Sequence, residues 1–349
     1  MAELRQILDL WKRASATGEE ICLATVVGVE GSAYRRPGAR MILTASGRRA
    51  GTVSGGCLEA EIAKKAWWLT EKGPAIQRYS SFFDDDGTMP YGLGCGGTVM
   101  VLLERGEAAA QCLEAVRRSV EERTVSVIVT DTVTKGAGTW LVLNATGEVV
   151  YARDAAPEME RLAREALANR TSATMRVLFA EWVAPPPALT IFGAGDDARP
   201  LVDFADTLGW HVTVADGRTS LSRYGRFPRA SLVSSLEAAL TSLTPDDAAV
   251  VMTHSYEQDG QILRGLLAQP LRYIGMLGPR ARTERLVNEA VRELGLDPEL
   301  CLGRLHSPVG LDLGGHAPAS IALSIAAELQ AVFAGREARK LSGAPAMHA

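Results

Sequence analysis

Strand-like and helix-like patterns of hydrophobic and polar positions alternate along the second half of the chain. After Ala184-Pro185-Pro186-Pro187, a run typical of a stiff extended linker, short apolar runs alternate with helical patterns. The predicted strands are 189–192, 211–215, 248–253 and 271–275, and the predicted helices are 198–208, 258–267, 280–294 and 318–333. This alternation predicts a doubly wound parallel sheet over residues 188–334, followed by a flexible tail over 335–349.

The pattern before the linker predicts a different, mixed α/β domain over residues 1–183. An amphipathic helix opens it, since Leu4, Ile7, Leu8 and Trp11 recur at helical spacing. The further predicted strands are 21–29, 40–44, 98–104 and 124–130, with a hairpin around 144–147, and the further helices are 57–71, 109–122 and 156–168. Interpretable motifs are confined to residues 1–105.

Composition narrows the classes of function. The hydrophobic fraction of 47% with 22% charged residues is ordinary for a globular protein, and the formal net charge of −4 argues against nucleic-acid binding. No apolar run predicts a membrane span, and the N-terminus lacks a signal-peptide pattern, so we expect a cytoplasmic protein. Five scattered cysteines without a C-x-x-C pair predict free thiols, of which Cys22, Cys112 and Cys301 lie in apolar or helical contexts typical of a core.

The segment from residue 189 to residue 216 has the pattern of a dinucleotide-binding unit. A predicted strand runs into Gly193-Ala194-Gly195-Asp196-Asp197-Ala198, which has the form G-x-G-x-x-A, and a helix and second strand follow. Gly193 permits a tight turn, Gly195 permits close approach of a pyrophosphate, and the helix N-terminus attracts anions. Asp216 stands where a ribose-binding acid is expected, and Arg218 could pair with a phosphate. An ordinary salt bridge between Asp216 and Arg218 is the alternative.

Further candidates follow the other strands of this domain. His254 comes after the strand 248–253, at the sheet edge where open α/β sheets bind ligands. Gly278 lies between a strand and a helix, and Asp312 lies in a glycine-rich loop before the last helix. We therefore expect these three residues to line the ligand crevice, while a strand-capping histidine is the structural alternative for His254.

Three loops in the first hundred residues have an unusual composition. The loop 31–40 carries Arg35, Arg36 and Arg40, which suit recognition of phosphate or carboxylate, or form an exposed basic turn. In the loop 51–59, Ser54 is a plausible helix cap before Gly55 and Gly56. Cys57 would then lie in a first helical turn, where its thiolate is favoured, unless it is a small buried residue. Cys95 lies in the third loop, 91–97, which contains four glycines and predicts close approach of backbone to a ligand or to another segment.

Taken together, these motifs resemble the XdhC/CoxI family of accessory proteins for xanthine dehydrogenase and related molybdenum hydroxylases. The motifs are GSAYRRPGARM at 31–41, GTVSGGCLE at 51–59, GCGG at 94–97, IFGAGDDA at 191–198, DGR at 216–218, VMTH at 251–254, YIGMLGPR at 273–280 and GLDLG at 310–314. Asp196 departs from the histidine that the family usually has in this turn. A carboxylate there would repel an anion unless it is protonated or binds a hydroxyl group.

The resemblance implies an N-terminal XdhC/CoxI domain joined to a C-terminal Rossmann domain, in a homodimer. It implies binding of the molybdenum cofactor (molybdopterin), its sulfuration with a cysteine desulfurase, and its delivery to a xanthine dehydrogenase-type hydroxylase. Cys57, rather than Cys95, is then the expected reactive thiol. Two alternatives remain at this stage, an NAD(P)-dependent oxidoreductase using the Rossmann site and a sulfur carrier that holds a persulfide on Cys57.

Overall fold

The computed structural model describes residues 2–56, 58–80, 97–133, 137–218 and 225–343, and the chain forms two compact units that divide between Pro185 and Pro186. The predicted fold class, a mixed α/β domain followed by a Rossmann-like parallel sheet, is confirmed. Among the described residues, no helix is long and apolar enough to cross a membrane.

The first unit contains two antiparallel sheets. Its elements are α1 (Ala2–Ala16), β1 (Ile21–Gly31), β2 (Arg40–Thr44), β3 (Arg49–Gly51), α2 (Glu59–Leu69), β4 (Ala75–Ser80), β5 (Gly97–Arg105), α3 (Gly106–Glu121), β6 (Ser126–Asp131), β7 (Trp140–Asn144), β8 (Val149–Arg153), α4 (Pro157–Asn169), β9 (Ala173–Met175) and β10 (Leu178–Val183). The strand orders are β3-β2-β1-β5-β4 and β8-β7-β6-β10-β9. The sequence patterns missed β3, β4, β9 and β10, and they placed the start of α2 at Cys57 rather than Glu59.

Alternation of side chains across these strands divides the first unit into layers. One core joins α1 and α3 to residues of both sheets, including Leu23 and Leu102 of the first sheet and Ile128 and Val142 of the second. The opposite face of the first sheet packs on α2, with Ile62 buried, and that of the second sheet packs on α4, with Leu162 buried. The two sheets therefore share one buried layer within this unit.

A buried ion pair crosses that shared layer. Arg40 of β2 is almost fully buried, and its Nη1 lies 2.8 Å from Oε1 of Glu181 in β10, while Nη2 contacts Oε2. The same Nη1 donates to the carbonyl oxygen of Gly38 at 2.9 Å. The charge of Arg40 is therefore neutralised by Glu181 inside the unit. The expectation that Arg40 contributes to an open anion site is wrong.

We predict that Arg40→Met lowers the free energy of unfolding by about 3–5 kcal/mol, because it leaves the Glu181 carboxylate buried without its partner. Arg78→Met is the matched control, since Arg78 pairs with Glu30 at 2.9 Å on the surface, with both side chains more than half exposed. Exposed pairs contribute about 0.2–1 kcal/mol. Equal, small effects of the two substitutions in urea unfolding would contradict this account of Arg40.

A second polar residue of this layer is the buried carboxyl group of Glu104 in β5. The indole N–H of Trp140 in β7 donates to Oε1, whereas Oε2 makes no hydrogen bond to the described residues. Burial, only partly offset by the Trp140 hydrogen bond and by the charges of Arg153 and Arg40, raises the pKa of Glu104 to about 8. The carboxyl group is therefore mostly protonated at neutral pH.

This raised pKa predicts a pH dependence of stability. The folded state holds the Glu104 proton more tightly than the unfolded chain, whose ordinary pKa is 4.5, so the stabilisation is complete in acid and is lost as pH rises towards about 8. We expect Glu104→Gln to remove a fall in unfolding free energy of up to about 1.4 kcal/mol per pH unit. Urea unfolding between pH 5 and pH 8, with exposed Glu165→Gln as control, measures it. An unchanged slope in Glu104→Gln would refute the assignment.

The second unit is a doubly wound parallel sheet with strand order β13-β12-β11-β14-β15-β16. Its elements are β11 (Ala188–Phe192), α5 (Ala198–Thr207), β12 (His211–Ala215), β13 (Ser231–Val233), α6 (Leu236–Thr241), β14 (Ala248–Val251), α7 (Tyr256–Leu267), β15 (Tyr273–Met276), α8 (Arg280–Leu294), α9 (Pro298–Gly303), β16 (Leu305–His306) and α10 (Pro318–Ala334). One sheet face packs on α5 and α10 and the other on α7 and α8. The carboxyl ends of all six strands thus meet at one edge.

Candidate functional site

The glycine-rich turn after β11 lies between the ends of two neighbouring strands. Gly193 has a φ of +126°, and a Cβ atom at this position would lie 2.5 Å from the carbonyl oxygen of Met252. Its N–H donates to the carbonyl oxygen of Ala215 at 2.8 Å. Only glycine fits this conformation and this close approach, as the G-x-G-x-x-A pattern predicts.

Asp216 stabilises this turn through hydrogen bonds. Its carboxylate is 1% exposed and accepts the N–H of Ala194 at 2.8 Å, together with the backbone N–H and guanidinium of Arg218 at 2.8–3.0 Å. Burial alone would raise the pKa of Asp216, but the hydrogen bonds from Arg218 and Ala194 outweigh it and lower this pKa. The pair is thus a salt bridge, but not the ordinary surface pair of the alternative interpretation, because its carboxylate is buried. Asp216 uses its acceptor oxygens within the protein.

Asp196 and Asp197 place two further carboxylates in the same turn. Asp196 is 83% exposed and pairs with Arg226 at 2.7 Å. The guanidinium of Arg226 thus balances the negative charge that Asp196 adds to this turn. A Cβ atom on Gly195 would lie 2.5 Å from Oδ1 of Asp197. Because the Ala194 N–H is already bonded to Asp216, this turn offers a pyrophosphate one backbone donor fewer than the pattern predicts. This geometry disfavours the nicotinamide-nucleotide alternative.

His254 and Asp197 form a pair that the sequence analysis missed. Nε2 of His254 lies 2.6 Å from Oδ2 of Asp197, and the imidazole is 64% exposed. His254 has a φ of +61°, a conformation unusual for a residue with a side chain. Its neighbour Thr253 donates through Oγ1 to the buried carboxylate of Asp259, which also pairs with Arg282 at 2.6 Å. The only sequence signal for the pair was the doubled Asp in the turn.

The other two predicted residues of this crevice lie at different depths. Gly278 has a φ of +131° between β15 and α8, in the strand-to-helix turn that the sequence predicts. Asp312 is exposed in the loop before α10, where Gly310 donates its N–H to Glu328 at 2.8 Å. The described structure thus gives Gly278 a conformational role and leaves Asp312 at the surface.

In the first unit, the carboxylate of Glu59 organises the loop before α2. Its Oε1 accepts the N–H groups of Val53 and Ser54 at 3.0 and 2.8 Å, and its Oε2 accepts the Ser54 hydroxyl at 2.7 Å. Burial alone would raise the pKa of Glu59, but these hydrogen bonds lower it. The Ser54 oxygen in turn accepts the N–H groups of Gly56 and Leu58. Ser54 therefore stabilises the loop, but it is not the helix cap that the sequence predicts, because Leu58 is the N-cap residue of α2 and has no side-chain cap.

The two glycines of this loop lie at the surface. Gly56 has a φ of +112° with no atom within 4 Å of the position that a Cβ would occupy. Both Gly55 and Gly56 are exposed, and Gly55 lies beside the ring of Tyr34 in the loop 31–40. Cys57 and Cys95 lie outside the described residues, so their roles stay predictions.

The three predicted arginines of the first unit separate into different environments. Arg40 is buried in its pair with Glu181, and Arg35 pairs with Glu3 of α1. Arg36 is exposed and makes no ion pair with a described residue. Of the three guanidiniums, that of Arg36 is available to an anion in the described structure.

The remaining cysteines belong to the core. Cys22, Cys112 and Cys301 are buried free thiols, as the sequence predicts. Burial raises the pKa of Cys22 to about 12 and that of Cys112 to about 11. These two thiols are therefore protonated and unreactive at neutral pH.

We predict that Asp216→Asn destabilises the second unit by about 1–3 kcal/mol, because an amide cannot accept all the hydrogen bonds made by the carboxylate. The lowered pKa of Asp216 means that its contribution is present above the ordinary value of 3.8 and is lost as pH falls through the folded value. Urea unfolding at pH 7 and pH 3 should show a smaller difference from wild type in acid. Asp203→Asn, at an exposed site, is the control. An undiminished difference at pH 3 would contradict the assignment.

Comparisons with known proteins agree with this architecture. Residues 14–80 match the model of the XdhC and CoxI family, and residues 189–329 match that of the XdhC Rossmann domain. A relative from Bacillus subtilis (strain 168), described as a probable xanthine dehydrogenase subunit, is 34% identical over 325 residues, which cover 89% of this chain and 92% of that protein. The molybdenum cofactor insertion chaperone PaoD of Escherichia coli (strain K12) is 25% identical over 328 residues, covering 94% and 88%.

A solved structure of a relative has the same fold over nearly the whole length. A crystal structure described as a xanthine dehydrogenase from Bacillus halodurans superposes with a TM-score of 0.78 at 32% identity, covering 97% of this chain and 98% of that one. The resemblance noted from the sequence motifs is thereby confirmed. The chain belongs to the XdhC and CoxI family.

Proposed function

We propose that this protein binds the molybdenum cofactor and delivers it to a xanthine dehydrogenase-type molybdenum hydroxylase. The relatives support a maturation role, since one is named a molybdenum cofactor insertion chaperone and the other carries the name of xanthine dehydrogenase. The observation that carries the proposal is the pair of loops 31–38 and 52–56 in the first unit, in which Tyr34, Arg36, Gly55 and Gly56 are exposed. Both lie within the segment that matches the family model.

The side chains of these loops suit an anionic, hydrogen-bonding ligand. Arg36 can donate two parallel hydrogen bonds to a phosphate group. Gly55 and Gly56 present exposed backbone, and a side chain at Gly56 would occupy space that is otherwise open. The cofactor, when bound, supplies a molybdenum centre on a phosphorylated pterin. These loops would bind its phosphate and its polar ring edges.

The glycine turn of the second unit suits this ligand less well. The Ala194 N–H is taken by Asp216, and the carboxylates of Asp196 and Asp197 are paired with Arg226 and His254. A phosphate at this turn would therefore compete with three internal carboxylates for the same donors. We propose that Gly193, Gly195, Asp216 and Arg218 shape the turn. We further propose that the exposed imidazole of His254, paired with the less exposed Asp197, meets any ligand there.

The finer steps of the maturation role belong to the same proposal. Sulfuration of the cofactor would require a cysteine desulfurase as sulfur donor and a reactive thiol, for which Cys57 and Cys95 are the candidates. Function as a cytoplasmic homodimer is part of the expectation that family membership carries. Each of these steps can be tested independently of cofactor binding.

We predict that the purified protein binds molybdenum cofactor released anaerobically from a donor molybdoenzyme, and that it restores activity to the cofactor-free hydroxylase. Arg36→Ala should weaken binding about tenfold, because hydrogen bonds to charged groups contribute about 1.5–3 kcal/mol. Ultrafiltration followed by molybdenum determination gives the affinity, and hydroxylase turnover gives the transfer.

The matched control is Arg161→Ala, which removes an exposed arginine of α4. It should leave the affinity unchanged. Absence of cofactor binding by the correctly folded wild type would refute the proposed function. Equal effects of both substitutions would show that net charge, rather than Arg36 itself, determines binding.

A further inference from the structure

We propose that the ring of Tyr34 is a stacking platform for the flat pterin ring of the cofactor, an inference that rests on the proposed function and names a specific contact within it. Tyr34 precedes Arg35 and Arg36 in the loop 31–38. Its side chain is 72% exposed. The ring thus lies at the surface, two residues before Arg36, which makes no ion pair with a described residue.

Gly55 lies close to one side of this ring. A Cβ atom added to Gly55 would lie 3.8 Å from both Cγ and Cδ1 of Tyr34, at van der Waals distance. The ring therefore rests beside the glycine loop while most of its surface remains open to solvent. A planar ligand can cover that open surface without displacing any described side chain from it.

Glu3 holds the two loops in this arrangement. Its Oε2 accepts the guanidinium of Arg35, and its Oε1 accepts the hydroxyl of Thr52 at 2.8 Å. One carboxylate of α1 thus connects the loop that carries Tyr34 to the loop that carries Gly55. Both Glu3 and Arg35 are only about a quarter to a third exposed. The Tyr34 backbone is consequently held before a ligand arrives, which reduces the entropy lost on binding.

The chemistry of the site matches a flat heterocycle that carries negative charge. Aromatic side chains stack on nucleobase-like rings with about 1–3 kcal/mol per ring. Arg36, two residues from Tyr34, can pair with the phosphate on the same ligand. A purely apolar partner would leave Arg36 without a counter-charge. These features favour the phosphorylated pterin over an apolar surface of another protein.

The test compares cofactor affinity in Tyr34→Phe, Tyr34→Leu and Tyr34→Ala, with the released molybdenum cofactor as probe and circular dichroism as the check of folding. Tyr34→Phe should bind like wild type, because it keeps the ring. Tyr34→Ala and Tyr34→Leu should bind at least about fivefold more weakly, because both lose the aromatic face. Tyr34→Leu retains apolar surface and so separates stacking from simple burial.

Trp68→Ala is the matched control, since Trp68 is 71% exposed on α2 of the same unit. It should leave the affinity unchanged. Wild-type affinity in Tyr34→Ala, with or without poorer transfer to the hydroxylase, would overturn the platform and leave the proposed function standing. Absence of binding by wild type would overturn both.

Discussion

Buried carboxylates that accept backbone N–H groups are the constraint on which both glycine-rich turns depend. Glu59 accepts two N–H groups and a hydroxyl from the loop before α2, and Asp216 accepts the N–H of Ala194 in the turn after β11. Glycine-rich backbone has much conformational freedom to lose on folding. A charged acceptor with several hydrogen bonds offsets that loss more strongly than a neutral acceptor would. Each turn is therefore held by an internal anion before any ligand binds.

The same device has opposite consequences in the two units. In the first unit, Glu59 accepts its hydrogen bonds from Val53 and Ser54, and Gly55 and Gly56 remain exposed, with Gly55 near the ring of Tyr34. In the second unit, Asp216 accepts the N–H of Ala194 in the glycine-rich turn, and Asp196 and Asp197 follow in the same turn. A glycine fingerprint alone therefore does not determine the ligand.

Local sequence signals predicted the four central strands of the second unit, because parallel strands buried on both faces are continuous apolar runs, but they missed the short edge strands β13 and β16 and the short helices α6 and α9. The strand His211–Ala215 and the helix Arg280–Leu294 have the predicted bounds. The strand Ala75–Ser80 was missed, since its mixture of polar and apolar residues lacks a clear signal. Local patterns could not predict contacts between residues that lie far apart in the sequence. Nothing near Arg40 in the sequence indicates Glu181, and a doubled Asp does not indicate which carboxylate reaches His254.

We propose that the loops 31–38 and 52–56 of the first unit, rather than the turn after β11 in the second, hold the cofactor. Hydrogen–deuterium exchange of the protein with and without released molybdenum cofactor distinguishes the two locations. We predict slower exchange in peptides spanning 31–38 and 52–56, with residues 193–197 little changed. Slower exchange confined to 193–197, with the first unit unaffected, would contradict the account.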